Sequence, residues 1–241
     1  MNQMSRKFNA LLGLGALAFA SSAFAQCPSS PVPPWSSQSV LGGTVAIVAG
    51  GYDGTSCRMA STITGNIGGA SAFVRDNTPA SEPRYRAQFL INLDTLTGQN
   101  TIQSVKVFGA STDAPFGGQS EVVRLTVVGN VAGTAKTLGV FTVCEGQPSN
   151  LCSASAPLTA GTNRIEIDWQ KGPTGSLRVW VNNTNEGAPT ATLNGNSNSW
   201  GGVDFATLGL AAGSAAFRAA QLNRAVGFDE FDSRRQTFIG N

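Results

Sequence analysis

The stretch TNRIEIDWQKGPTGSLRVWVNN, residues 162–183, decides the fold. Ile165, Ile167 and Trp169 alternate with Arg164, Glu166, Asp168 and Gln170, the period of two that sends side chains to opposite faces of a β-strand. Leu177, Val179 and Val181 alternate in the same way with Arg178, Trp180 and Asn182. Between the two runs QKGPTGS carries Gly-Pro and Thr-Gly, both turn signals, so the segment reads as an antiparallel hairpin. A slip of one residue would turn every side chain over, so the apolar residues of both strands must share a face. The register with Gln170 opposite Ser176 achieves this. It sets Glu166 opposite Trp180, Asp168 opposite Arg178 and Arg164 opposite Asn182.

Working outward, the same period recurs at 44–50, 85–92, 102–110, 121–129, 136–144, 205–211 and 225–231, with turn residues between the runs. In YRAQFLIN (85–92), Tyr85, Ala87, Phe89 and Ile91 fall on one side. The one helix candidate is GSAAFRAAQLN (213–223), barely three turns long. The pattern predicts an all-β chain with its sandwich over residues 44–241, preceded by a proline- and serine-rich lead over 26–43.

Residues 1–25 read as a cleaved signal peptide. Arg6 and Lys7 form a basic start, Phe8 to Ala20 are almost wholly apolar, and Ala23-Phe24-Ala25 is a small-x-small cleavage pattern. That apolar run is too short to span a bilayer comfortably, and no later run approaches the required length. The expected destination is extracellular or periplasmic. Loss of Arg6 and Lys7 takes the formal charge from +2 to zero, which leaves no electrostatic footprint for nucleic acid. In an oxidising compartment four cysteines imply disulfides. Cys144 and Cys152 bracket the short polar loop EGQPSNL, favouring that pair and therefore Cys27 with Cys57. The chain has no histidine, which excludes Ser-His and Cys-His nucleophile pairs and the usual imidazole zinc sites.

Glu166 and Asp168 resemble the carboxylate strand of the family 16 glycoside hydrolases, in which a further glutamate is the acid/base. Here Gln170 stands at that place, and an amide cannot donate the proton that retaining hydrolysis needs. Three more segments accompany the hairpin: VRDNTPASEPRYRAQFLINL (74–93), DFATLGLAAG (204–213) and VGFDEFDSRRQTFIG (226–240). Together they are similar to the concanavalin A-like lectin/glucanase superfamily, in particular to laminin G-like domains of a bacterial exported branch. The resemblance implies a two-sheet antiparallel jelly-roll β-sandwich whose concave face or rim loops bind glycan.

The expected function is then a secreted, non-catalytic lectin-like module whose partner is a carbohydrate or an extracellular protein. The alternatives are a structural or adhesion module without a small-molecule site, and a family 16-like hydrolase acting through Glu166. No catalytic residue is assigned. The candidate ligand-binding residues are Trp200, Trp180, Arg178, Asn182, Glu166 and Asp168, on the premise that both indoles are exposed. Trp200 sits in NGNSNSWGG, a polar loop with no obvious core to join. No cofactor is expected. Calcium is the one ion considered, yet Asp53 and Asp76-Asn77 are isolated oxygen donors, whereas the ion gathers six or more, and turn chemistry explains NSNSWGGVD with Asp204 equally well.

Overall fold

The computed structural model describes residues 27–98, 102–129 and 136–240. The expected signal peptide lies outside them. In chain order the strands begin with β1 (Ser37–Ser39), β2 (Gly43–Ala49), β3 (Cys57–Ile63), β4 (Ala72–Asp76) and β5 (Arg84–Asn92). The long β6 (Gln103–Phe116) and β7 (Gln119–Gly129) follow, then β8 (Lys136–Val143) and β9 (Leu151–Leu158). The hairpin strands are β10 (Thr162–Gln170) and β11 (Gly175–Val181). The chain continues through β12 (Ala191–Gly195), β13 (Phe205–Ala211), the short helix α1 (Ala215–Ala220) and β14 (Ala225–Arg234).

These strands form two antiparallel seven-stranded sheets, the jelly-roll sandwich expected. One is ordered β1-β4-β13-β6-β7-β8-β9 and the other β12-β11-β10-β5-β14-β3-β2. The hairpin register is the expected one, with Glu166 opposite Trp180, Asp168 opposite Arg178 and Gln170 opposite Ser176. Five strands were not marked by the alternation: β1, β3, β4, β9 and β12. Three of them (β1, β9 and β12) are sheet edges. An edge strand is held by backbone bonds on one side and needs few apolar side chains, so LCSASAPL and ATLNG give weak patterns.

The inner faces meet around Phe89, Phe108 and Phe228, whose ring centroids lie 5.6 and 6.4 Å from that of Phe89. Ile165, Ile167 and Trp169 of β10 join this core with Leu177 and Val179 of β11. Helix α1 packs Phe217 into it, and Ser214 caps the helix by accepting from the Phe217 amide at 3.1 Å. Both expected disulfides are formed, Cys27–Cys57 and Cys144–Cys152. The first ties the lead to β3, while Trp35 packs on Phe231 at 4.8 Å. No helix among the described residues is long and apolar enough to cross a membrane.

Strand β14 carries a bulge between Asp229 and Asp232, with Glu230 at φ 48°. Such an insertion re-aims side chains on the bulged strand. Here it lets Phe231 reach Trp35 while Asp229 and Asp232 both sit opposite outer-face residues of β5. At Gly227 an added Cβ would stand 2.0 Å from the Tyr52 hydroxyl. The glycine is what lets the 50–56 loop lie against this sheet.

Candidate functional site

The site is assembled by strand pairing. On β10 the residues that alternate with the core set are Arg164, Glu166, Asp168 and Gln170, and β5 and β11 flank β10 on either side. Register aligns three rows across the outer face of this sheet. One runs Arg178, Asp168, Arg86, Arg234; the next Trp180, Glu166, Gln88, Asp232; and the third has Arg164 beside Leu90 and Asp229. The outer face of a two-layer sandwich normally meets water. This one is largely buried at its centre: Arg86 is 0% exposed, Asp168 1%, Glu166 2% and Gln88 5%.

Two segments supply the cover. Residues 235–240 follow β14 and place Phe238 on β11, Ile239 and Gly240 on β10, and Gly240 on β5. The Ile239 amide donates to Glu166 Oε1 at 2.9 Å, and the Gly240 amide donates to Glu166 Oε2 at 3.0 Å. The Phe238 ring meets Trp180 edge-on at 5.2 Å. Gln88, its amide oriented to suit its neighbours, donates to the Gly240 carbonyl and accepts from Arg164 Nη1 at 2.9 Å. The second cover is the 183–190 loop, whose Asn185 carbonyl accepts the Trp180 indole N–H at 3.1 Å. From the same loop Glu186, half exposed, places Oε1 2.6 Å from Arg86 Nη2.

Asp168 is the electrostatic centre. Arg84 holds it with Nε and Nη2, both at 2.9 Å; Arg86 Nη2 lies at 3.0 Å, and Arg178 donates to the same carboxylate. Burial alone would raise the Asp168 pKa, but the hydrogen bonds from Arg84 and Arg178 outweigh it and hold the carboxyl below the ordinary aspartate value. Glu166 behaves oppositely. Burial lifts it above the ordinary glutamate value, against the two amide donors and the charge of Arg86, whose Nη1 stands 3.8 Å away. Two carboxyls on one strand are thus pushed apart, the arrangement by which proton-transfer groups are differentiated.

Arg86 itself is incompletely paired. Its Nε and Nη1 are buried and without a hydrogen-bond partner. An unsatisfied buried donor costs about 1–3 kcal/mol. Each unmatched guanidinium N–H is a single charged donor to which an oxygen of an anionic group can bind.

The structure brings four of the six expected site residues together: Glu166, Asp168, Arg178 and Trp180. Asn182 is drawn aside, at φ 52°, where it donates to Asn163 and Thr159 and accepts from the Arg164 amide. The exposed ring expected at Trp200 is a buried one, 1% exposed. Its indole N–H donates to the Gln119 carbonyl at 2.9 Å and its ring packs nearly perpendicular to Phe116 at 5.0 Å, so the polar loop delivers a core residue. Trp180 is likewise 1% exposed rather than open, because Phe238 and the 183–190 loop lie on it. The residues that sequence reasoning missed are Arg84, Arg86 and Gln88. Their signal was present: they are the other parity of the run whose Tyr85, Ala87 and Phe89 mark the core.

Asp204 accepts from the Ser81 and Asp113 amides at 2.9 and 2.7 Å, which is loop-tying chemistry. Among the described residues no cluster of three or more acidic, histidine or cysteine side chains could hold a metal ion.

No protein-family model matches the chain, and no curated protein matches it in sequence. Solved structures do share the fold. The endo-β-1,4-glucuronan lyase from the fungus Trichoderma reesei superposes with a TM-score of 0.63 at 15% identity, covering 90% of this chain and 97% of that one. Alginate lyase Aly36B gives 0.57 at 12% identity, over 81% and 98%. A carbohydrate esterase from Shiga toxin-encoding bacteriophage phi24B gives 0.54 at 11%, over 83% and 90%. These likenesses show the two-sheet jelly-roll sandwich; the laminin G-like part of the resemblance gains no support from them. They also overturn the expectation of a non-catalytic lectin-like module, since these three carry the names of carbohydrate-processing enzymes. The burial of Trp180 and Trp200 removes the aromatic platform on which that expectation stood.

Proposed function

We propose that this chain is an exported carbohydrate-processing enzyme that acts on an anionic polysaccharide laid across the outer face of β14, β5, β10 and β11. The observation that carries the reading is Arg86. It is fully buried, surrounded by charge, and left with two unpaired charged donors, beside a carboxyl whose proton affinity is raised. The shared fold of lyases and an esterase supports the catalytic class, and the two disulfides suit an oxidising compartment.

The geometry suits β-elimination on a uronate. Arg86 and Gln88 bind the sugar carboxylate and draw electron density from the adjacent carbon. Glu166, as carboxylate, takes the proton from C5; the C–H electron pair becomes the C4=C5 double bond as the C4–O4 bond breaks. The departing oxygen then recovers the proton from Glu166, leaving a new hydroxyl end and an unsaturated uronate. Asp168, held ionised by its arginines, keeps those side chains in place and does not compete for the proton. The preorganised arginines act where charge develops.

The test is to incubate residues 26–241, and the same protein ending at Arg235, with polyglucuronate, alginate and a neutral glucan. Formation of the double bond is followed by ultraviolet absorbance. Turnover of an anionic polymer, reduced about a hundredfold or more by Glu166→Gln and by Arg86→Gln, is expected. Failure of both proteins to bind or cleave any uronate polymer would refute the proposal.

A further inference from the structure

Residues 236–240 lie on the site, with Phe238 against Trp180 of β11, Ile239 and Gly240 on Glu166 of β10, and Gly240 on Gln88 of β5. They make no regular secondary structure. Their hold consists of two amides on Glu166, one carbonyl on Gln88 and a half-buried Phe238 on Trp180. The Arg86 guanidinium lies 5.6 Å from the Phe238 ring and 6.0 Å from that of Trp180. A segment with so few anchors opens at low cost compared with the sheet beneath it.

We infer that this segment and Glu186 are a built-in competitor for the substrate: Phe238 takes the place of a sugar ring on Trp180, and the Glu186 carboxylate takes that of a uronate on Arg86. The inference rests on the functional reading above and assigns its subsites. Three observations carry it. First, Glu186 is 51% exposed in its side chain, so its partner Arg86 is capped by a group that water can carry away. Second, Arg86 keeps two buried donors unpaired while this cover is in place, so the cover is an incomplete substitute for the ligand the arginine is built to hold. Third, Phe238 is itself only half-buried, and it sets a ring against Trp180 with centroids 5.2 Å apart.

Displacement exchanges the Phe238 edge for the apolar face of a pyranose, and the Glu186 carboxylate for one in the polymer. Trp180 thereby becomes a ring-stacking subsite and Arg86 the neighbouring carboxylate subsite. A competitor held in place lowers apparent affinity by the fraction of molecules that are open.

The experiment compares the full chain, the form ending at Arg235, Phe238→Ser and Glu186→Gln for binding of a glucuronate oligosaccharide by calorimetry. Hydrogen exchange of the Ile239 and Gly240 amides is followed with and without saturating oligosaccharide. The shortened form and Phe238→Ser are expected to bind about tenfold or more tighter than the full chain, with Glu186→Gln intermediate. In the full chain, oligosaccharide is expected to speed exchange at Ile239 and Gly240. Equal affinities, with both amides still protected in the saturated complex, would overturn the competitor and leave the enzyme reading standing. Absence of binding by every form would overturn both together.

Discussion

Replacing Asp168 by asparagine tests the electrostatic account of the site directly. The substitution keeps size and shape but removes the charge on which Arg84, Arg86 and Arg178 converge. The arginines do not suffer equally. Arg84 and Arg178 have side chains 31% exposed and can rehydrate, so each loses only the surface value of an ion pair, below about 1 kcal/mol. Arg86 is 0% exposed and cannot rehydrate, so it becomes a buried cation whose remaining close partner is the half-exposed Glu186. Removing one member of a buried pair costs about 3–5 kcal/mol. The expected loss for Asp168→Asn is about 3 kcal/mol, or roughly 6–12 °C in Tm for a domain of this size. Urea unfolding followed by tryptophan fluorescence should show a lower midpoint with unchanged slope.

Two companions make the test sharp. Arg84→Gln should cost below about 1 kcal/mol. The double change Asp168→Leu with Arg86→Met should recover most of the loss, because the uncompensated buried charge is gone. There is also a pH signature. Since the folded pKa of Asp168 is lowered, its contribution is complete above the unfolded aspartate value and is lost as pH falls through the folded one. The acid limb of stability should therefore be shallower in Asp168→Asn. An Asp168→Asn protein within about 1 kcal/mol of wild type, or an Arg84→Gln protein as unstable as Asp168→Asn, would refute the argument.

Trp200→Ala should cost about 3–5 kcal/mol in thermal unfolding as a core truncation, whereas Trp200→Phe should cost about 1 kcal/mol more than its lost volume because the Gln119 carbonyl loses its donor. Gly227→Ala should destabilise by about 1–3 kcal/mol by driving into the Tyr52 ring, and adding Tyr52→Ala should relieve most of that overlap in the same measurement. Cys144→Ala with Cys152→Ala should cost about 2–3 kcal/mol in denaturant, and the Cys27 and Cys57 pair about 3–4 kcal/mol, reflecting separations of 8 and 30 residues. Activity should rise with pH through a Glu166 pKa above the ordinary glutamate value, and in Arg86→Gln the residual activity should need still higher pH, because a lowering charge has been removed.

The fold was legible because it depends on parity. Ile165, Ile167 and Trp169 had to share a face with Leu177 and Val179, and that condition, taken with a five-residue loop, gives the register observed between β10 and β11. The same parity placed Glu166, Asp168, Arg178 and Trp180 together on the other face. It carried no information about what lies above them. Glu166 is buried by amides 73 and 74 residues further along the chain, and Trp180 by Phe238. Neither contact has a period or a turn signal to announce it. Trp200 failed for a related reason. A loop of small polar residues reads as surface, yet here those residues form the turns that swing one large ring into the core.

The outer face therefore presents a puzzle in energetic terms, and its solution bears on function. A sandwich already has one core between its sheets, so burying Arg86, Asp168 and Glu166 on the far side adds desolvation that stability alone does not require. Well-packed apolar residues at those places would serve the fold as well or better. What the charges provide is a preorganised field of guanidinium groups around one ionised and one proton-avid carboxyl, held beneath a removable cover. In low-dielectric surroundings such a field acts strongly on an anionic ligand, and it is ready before the ligand arrives. The two buried donors that Arg86 leaves unmatched mark where that readiness is incomplete without a ligand. Face parity builds the core from one half of β10 and the site from the other, and the segment 236–240 decides when the second half is open.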